Sequence, residues 1–317
     1  MIPLALSTRW NAGRHHDGRA LVEEILELGI DRLELGYDLR AELIPGVKAM
    51  IESNAVRVDS VHNFCPVPVG APRPHPELYT PASTDRRERE YAVTHISRTL
   101  RFAAEVGASV VVCHSGNVDM PSHTFDLLRL AARNEQFTDA FEALKLKAQI
   151  QRDKKAPRQI EWLCESLDAL LPVLAETGVQ LALENLPTWE AIPTELEGER
   201  LMTRFRDTGV RLWWDIGHAQ IRENLGFINA SRWLRRLAPH IAGMHIHDVA
   251  PPGQDHLMPP RGKVDFPALA DVARMDKVRV LEPAPDTDPA HIVRAVDYLR
   301  EVWEPAGPQQ KKSGEPT

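Results

Sequence analysis

With 317 residues, 43% of them hydrophobic and 26% charged, the chain can bury a large core and has the composition of an ordinary globular protein. A formal net charge of −7 argues against a general polyanion binder, so nucleic acid is not the expected partner, although a local basic face can coexist with an acidic total. Three widely separated cysteines (Cys65, Cys113 and Cys164), no apolar run near the ~18 residues of a membrane span and no leader-like start predict reduced thiols in a cytoplasmic, unanchored protein.

Residues 1–7 form a short apolar run, and 18–29 carry leucine, valine and isoleucine at helical spacing before a glycine stop, which predicts strand then helix. The pattern repeats as a strand over 32–36, a helix over 39–54 and a third strand over 56–62. The proline-rich stretch 65–83 is too long for a bare connection and is a candidate wall of an active site. A long amphipathic helix over 85–107 leads to a fourth strand over 109–114. Between 116 and 178 lie three helical patterns (125–133, 137–154 and 160–176) with a charged break at 152–157, where one helix would suffice. The surplus, about residues 117–160, predicts a helical insertion that projects from the strand-end face as a lid, as a contact for a partner or a second copy, or as decoration.

A fifth strand starts near 180, followed by a helix over 193–208, a strand over 210–215 and a helix over 228–238. A seventh strand (241–247), a short helix (266–275), an eighth strand (277–282) and a closing helix (289–303) complete the series, and the tail 305–317 is predicted to be disordered. Eight mainly apolar strands alternating with helices predict an α/β fold with a parallel sheet covered on both faces. The most economical closure is a (β/α)8 TIM barrel formed by one domain over 1–304, with its active site at the strand C-terminal ends. A doubly wound open sheet is the runner-up, and it lacks the GxGxxG turn after the first strand.

The strand ends carry the chemistry. LALEN (181–185), WWD (213–215), GMH (243–245) and VLE (280–282) each end an apolar run on a metal-ligand type, giving Glu184, Asp215, His245 and Glu282. Glu34, His62 and His114 end other runs at the same inward parity. Taken singly, a buried histidine is ordinarily hydrogen-bonded and a strand-end carboxylate ordinarily caps the next helix. Taken as a set, carboxylates gathered at one place repel each other unless a cation neutralises them. Mixed Glu, Asp and His ligands suit a divalent ion, Mn²⁺, Zn²⁺, Co²⁺ or Mg²⁺, without choosing among them. By alternation Trp213 points inward as barrel filling or as the floor of a sugar site, while Trp189, on the loop after the fifth strand, is the better candidate for stacking on a substrate. The basic run Arg232, Arg235 and Arg236 reads as a solvated helix face.

The segments LALEN, WWDIGH, GMHIHD with the later DHL, and VLEP resemble the xylose isomerase-like TIM-barrel superfamily, which holds sugar isomerases and epimerases, inosose dehydratase-like enzymes and the endonuclease IV group. The resemblance implies that Glu184, Asp215, His245 and Glu282 are the four metal ligands and that Glu184 and Glu282 double as acid and base. It also implies that His62, His114, His218 and His256 contact substrate or complete a multi-zinc cluster of the endonuclease type. His247 and Asp248 are placed as groups that orient His245 or as purely structural ones, and Glu34, Trp189 and His247 as further substrate contacts. Two departures stand out: Met258-Pro-Pro-Arg-Gly262 replaces a common glycine-glutamate-glycine turn, and Gln254 stands where the endonuclease pattern has aspartate.

The resulting expectation is a metal-dependent isomerase or epimerase acting on a small sugar or polyol by proton transfer beside a carbonyl. A dehydratase or lyase on a keto-sugar or inosose would share its first step. A zinc phosphodiesterase on abasic DNA, and a catalytically silent binding barrel, are the alternatives from other classes.

Overall fold

The structure, a computed structural model, describes residues 2–304; the tail 305–317, predicted to be disordered, lies outside the described residues. In chain order the strands are β1 (Ala5–Ser7), β2 (Arg32–Leu35), β3 (Arg57–His62), β4 (Val110–Cys113), β5 (Gln180–Glu184), β6 (Val210–Asp215), β7 (Ile241–Ile246), the hairpin β8 (Asp248–Ala250) and β9 (Gln254–Leu257), and β10 (Val278–Leu281). Eight of them close into a barrel in the order β1-β10-β7-β6-β5-β4-β3-β2, every neighbour parallel. The helices that cover it are α1 (Gly18–Leu26), α2 (Ile44–Glu52), α3 (Arg86–Glu105), α4 (His123–Ala132), α5 (Asp139–Thr177), α6 (Glu195–Arg204), α7 (Ile216–Asn224), α8 (Ala230–Leu237), α9 (Ala270–Ala273) and α10 (Pro289–Trp303). The chain is therefore a (β/α)8 TIM barrel, as the alternation predicts.

Strand parity sorts the core into two layers. Ala5, Val110, Val112, Ala182, Trp213 and Val280 fill the barrel interior, while Leu6, Val111, Leu181, Leu183, Trp214 and Leu281 pack outward against the helices. Trp213 is thus barrel filling, and it fits because residue 243 is glycine: a Cβ there would lie 2.3 Å from the indole. Two residues beyond Val112, Ala182, Trp213, Gly243 and Val280 stand His114, Glu184, Asp215, His245 and Glu282. The interior layer is the floor, and the next inward residue on each strand is a site residue.

The expected break at 152–157 does not occur, and one helix, α5, runs unbroken from Asp139 to Thr177 with Pro157 and Pro172 inside it. Arg152, Ala156, Gln159 and Leu163 keep a buried stripe at helical spacing across this stretch, whereas Asp153, Lys154 and Lys155 are exposed. The charges form a solvated face, and burial of the stripe offsets the single N–H that Pro157 lacks. Two elements were not predicted. Helix α7 starts directly from β6, with Asp215 as its N-cap accepting from His218 N, and the β8–β9 hairpin delivers His256. All three cysteines are free and buried, and no described helix is long and apolar enough to cross a membrane.

Candidate metal centre

Glu184, Asp215, His245 and Glu282 come from β5, β6, β7 and the end of β10, four consecutive staves of the barrel. All four are buried, at 0–5% exposure. His245 Nδ1 faces the three carboxylates, 3.2 Å from Glu184 Oε1, 3.4 Å from Glu282 Oε2 and 3.6 Å from Asp215 Oδ2. Its other nitrogen, Nε2, lies 3.1 and 3.2 Å from the two oxygens of Glu34, whose Oε2 also accepts from Ser60 Oγ at 2.8 Å. A carboxylate on Nε2 keeps a proton there, so Nδ1, which faces Glu184, Asp215 and Glu282, is the nitrogen whose lone pair would turn to a cation that displaced its proton.

Positive charge is what this cluster requires. Burial pushes Glu184, Asp215 and Glu282 up, but the adjacent histidines, with Arg9 beside Glu282, hold all three below the ordinary carboxylate range. Burial pulls His245 down, and Glu282, Glu34 and Glu184 together push it well above its ordinary value. Glu184 Oε2 is buried without a hydrogen-bond partner, although His62 Nε2 and His114 Nε2 stand 3.3 and 3.1 Å away. Lone pairs converging on unfilled hydrogen-bonding capacity, with donor atoms within 4.8 Å of one another in the set Asp215, His245 and Glu282, fit a divalent cation.

His62, His114 and Glu184 form a second group of this kind, and Glu184, Asp215 and His218 a third that shares Glu184 with it. His62 donates from Nδ1 to Asn63 O at 3.1 Å, which directs Nε2 at Glu184. A fourth group, His218, His247 and His256, meets the same distance limit, but His247 has no lone pair to spare. Its Nδ1 accepts from His256 N at 3.0 Å, so Nε2 carries the proton that points at Asp215, 3.0 Å from Oδ1. Asp255 pairs with His256 Nδ1 at 3.1 Å, while Gln254 is exposed. A site with three metal ions is not supported by these contacts.

Several expected roles change with the geometry. His247 orients Asp215 rather than His245, and Asp248 accepts from Gly262 N and Val264 N, pinning the loop that follows β9. Glu34 and His247, both 0% exposed, lie against His245 and Asp215 respectively. The Trp189 ring stacks on Phe227 with centroids 4.4 Å apart and has the Arg152 guanidinium 5.7 Å from its centroid. His218 does reach the cluster, with Nδ1 3.4 Å from Asp215 and 3.5 Å from Glu184.

The sequence reading did not single out Arg9, Tyr37, Asp38 or Asn185. Arg9 follows β1, donates from Nε to Tyr37 Oη at 3.1 Å and places Nη1 3.5 Å from Glu282. Asp38 has a buried Oδ1 without a partner, and burial raises its carboxyl to about 6. Asn185 brackets the Asp215 backbone, donating to its carbonyl at 3.0 Å and accepting from its amide at 2.8 Å. The asparagine of LALEN was legible as a motif, but nothing local says that it spans to β6. In front of His114 and His218 opens a cavity of about 490 Å³. The basic residues Arg235 and Arg236 pair with Asp271 and Glu199 on the surface.

The family described as xylose isomerase-like TIM barrel matches residues 22–302. The chain belongs to that family. Among related chains, an uncharacterised protein of Methanocaldococcus jannaschii is 25% identical over 122 residues, 38% of this chain and 45% of that protein's own length. Among solved structures, a D-tagatose 3-epimerase-like protein superposes with a TM-score of 0.67 and 19% identity over 95% of this chain and 97% of its own. The 3-keto-D-glucoside 4-epimerase of E. coli gives 0.66 and 19% identity over 95% and 100%. At that identity the likeness is one of fold.

Proposed function

We propose that the protein is a divalent-metal-dependent isomerase or epimerase of a sugar or polyol. The observation that carries this reading is the pair of glutamates, Glu184 and Glu282, held from different staves against one His245 nitrogen at the barrel mouth, beside an open cavity. The epimerases of similar fold lend it support. Glu184, Asp215, His245 and Glu282 would hold the ion. Bound there, it would polarise a carbonyl and a neighbouring hydroxyl and so acidify the hydrogen on the carbon between them.

The chain's own residues account for the rest. One glutamate takes that hydrogen as a proton and the other returns one, on the same or the opposite face of the carbon. His114 joins Glu184 Oε2 to Glu77, 3.5 Å from its Nδ1 at the cavity wall, which offers a route for a proton on Glu184 to exchange with solvent. Burial pushes Glu282 up, and His245, His256 and Arg9 more than offset it and hold the carboxylate ionised.

Glu282→Gln keeps an oxygen towards the ion and removes the base. It should lower activity by at least ~10²-fold while reducing metal occupancy much less. The decisive measurement is deuterium incorporation into keto-sugars from heavy water, alongside elemental analysis. The second reading, a phosphodiesterase, is favoured by the shared His62, His114 and Glu184 group. Two or more zinc ions per chain, zinc loss in His62→Ala, no exchange into any keto-sugar and cleavage of an abasic duplex would together replace the first reading with the second.

A further inference from the structure

Each of the two glutamates turns one oxygen inward and one outward. Glu184 Oε1 and Glu282 Oε2 lie 3.2 and 3.4 Å from His245 Nδ1. The outer oxygens meet different partners: His62 and His114 stand at Glu184 Oε2, and Arg9 stands at Glu282 Oε1. Arg9 follows β1, which is four staves from β5 in either direction round the barrel, so it enters the mouth from the side opposite Glu184. A guanidinium keeps its protons at any working pH, and Arg9 therefore cannot serve Glu282 as a proton carrier. Nor is it spent as a counter-ion. Where arginines of this protein neutralise carboxylates they make two short contacts, as Arg32 does on Asp59 at 2.7 and 2.6 Å and Arg236 on Glu199 at 2.6 and 2.7 Å. Arg9 Nη1 instead stops 3.5 Å from Glu282 Oε1, beyond the ordinary length of such a bond, and is buried without a hydrogen-bond partner. Among the described residues the side chain makes one hydrogen bond, from Nε to Tyr37 Oη at 3.1 Å, which fixes the plane of the fork.

We infer that Arg9 is a substrate-binding residue: a terminal nitrogen of its guanidinium donates to a substrate oxygen that lies beside the outer oxygen of Glu282. The inference rests on the proposed function and deepens it by naming a residue that fixes the substrate against one of the two glutamates. The Arg9 side chain is 20% exposed and that of Glu282 6%, so the pair stands at the edge of the buried cluster, where a ligand can reach it. A buried donor left without an acceptor costs the folded chain stability, and a ligand rich in oxygen supplies the acceptor. Ser7, two residues beyond Ala5 on the same inward parity, also leaves its Oγ buried without a partner, so the β1 stave brings a second unfilled polar atom to this side of the mouth. The catalytic consequence is orientation. A substrate held at the ligand cluster and again at Arg9 has little freedom to turn its reacting hydrogen away from Glu282 Oε1.

Calorimetric titration of the protein as purified, its ion content measured, with D-fructose, D-psicose, D-tagatose and L-ribulose selects the ketose it binds most tightly. The 1-, 3- and 4-deoxy analogues of that ketose are then titrated into wild type and Arg9→Met. The variant should bind the parent ketose about tenfold more weakly or worse, the loss expected for a charge-assisted hydrogen bond. One analogue should weaken binding to wild type by a similar factor and yet bind Arg9→Met as well as the parent does. That non-additivity marks a direct contact, because a merely structural role would weaken the parent and every analogue by one common factor. Ion content should be retained, since the replacement removes a cation and no ligand. Should the methionine variant fail to fold, Arg9→Gln, polar and too short to reach, carries the same cycle. The inference is overturned by unchanged ketose binding in the variant, by additive losses for all three analogues, or by loss of the ion. No binding of any of the four ketoses to wild type overturns the proposed function and this inference with it. Deuterium exchange from heavy water separates the two: exchange into a ketose with additive losses sinks the Arg9 contact alone, and non-additive losses without exchange into any sugar sink the isomerase alone.

Discussion

His245 is set in its role by the residue on its far side. Glu34 is 211 positions away in sequence, yet both its oxygens face His245 Nε2. Glu34→Gln leaves a weaker, neutral partner that can turn its amide towards the ring, and metal affinity should fall by ~10–100-fold. Metal titration followed by calorimetry checks this, and an unchanged affinity would mean that packing alone orients the ring. A second prediction concerns pH in the metal-free protein. Burial lowers His114, and the charge of Glu184 raises it to about 9; burial lowers His256, and Asp255 and Glu282 raise it to about 9. Both lie above the ordinary value of 6.5, so their ion pairs stabilise the fold fully below that pH, and the contribution is lost as pH rises through about 9. The melting temperature of stripped protein should therefore fall between about pH 7 and about pH 10, and a bound ion should flatten the fall by replacing those protons. Of this scale the sequence showed the ligand types; which nitrogen of His245 faces the carboxylates depends on Glu34, and no spacing rule connects the two.

At the scale of elements, α5 is tied to the loop that leaves β5. Arg152 donates to Trp189 O and Ala191 O at 2.7 Å and pairs with Glu197 at the head of α6, and its side chain is 4% exposed. From α7, Arg222 pairs with Glu195 and donates to Thr188 O in the same loop. With Glu190 capping the start of α4, this insertion reads as a fixed wall and not as a hinged lid. Arg152→Ala leaves Glu197 unpaired in a largely buried site and should cost about 3–5 kcal/mol of stability. Adding Glu197→Ala should recover part of that loss in denaturant titrations, whereas simple additivity would show that the pair does not couple the helices. The sequence misled here for a definite reason. The run Asp153, Lys154 and Lys155 has the composition of a break, but its neighbours Arg152 and Ala156 sit four apart on the buried side.

Across the whole molecule, the site is a property of barrel closure. Glu34, His62, His114, Glu184, Asp215, His245 and Glu282 stand at the ends of seven of the eight staves, and Arg9 follows the remaining one. An ion held by four consecutive staves binds the folded barrel alone, so chelation should lower the melting temperature. At an ion concentration of about 100 times its Kd the linked stabilisation is about 2.7 kcal/mol. Scanning calorimetry with and without chelator reads it, and Asp215→Ala should abolish most of the difference. A chelator-insensitive melt in protein shown to contain the ion would place that ion elsewhere.

The sequence by itself determined the alternation of strand and helix, the parity that sends Trp213 inward and Trp214 outward, and the strand-end positions of the candidate ligands. These are local properties: a period of two along a strand and of about 3.6 along a helix is written in consecutive residues. Only the tertiary structure decided that His247 serves Asp215, that Glu34 stands behind His245, that Arg9 meets Glu282, and that a cavity opens in front of His114 and His218. Those relations join residues tens to hundreds of positions apart, and their distances follow from how the closed barrel sets one strand against the next, which no stretch of sequence contains.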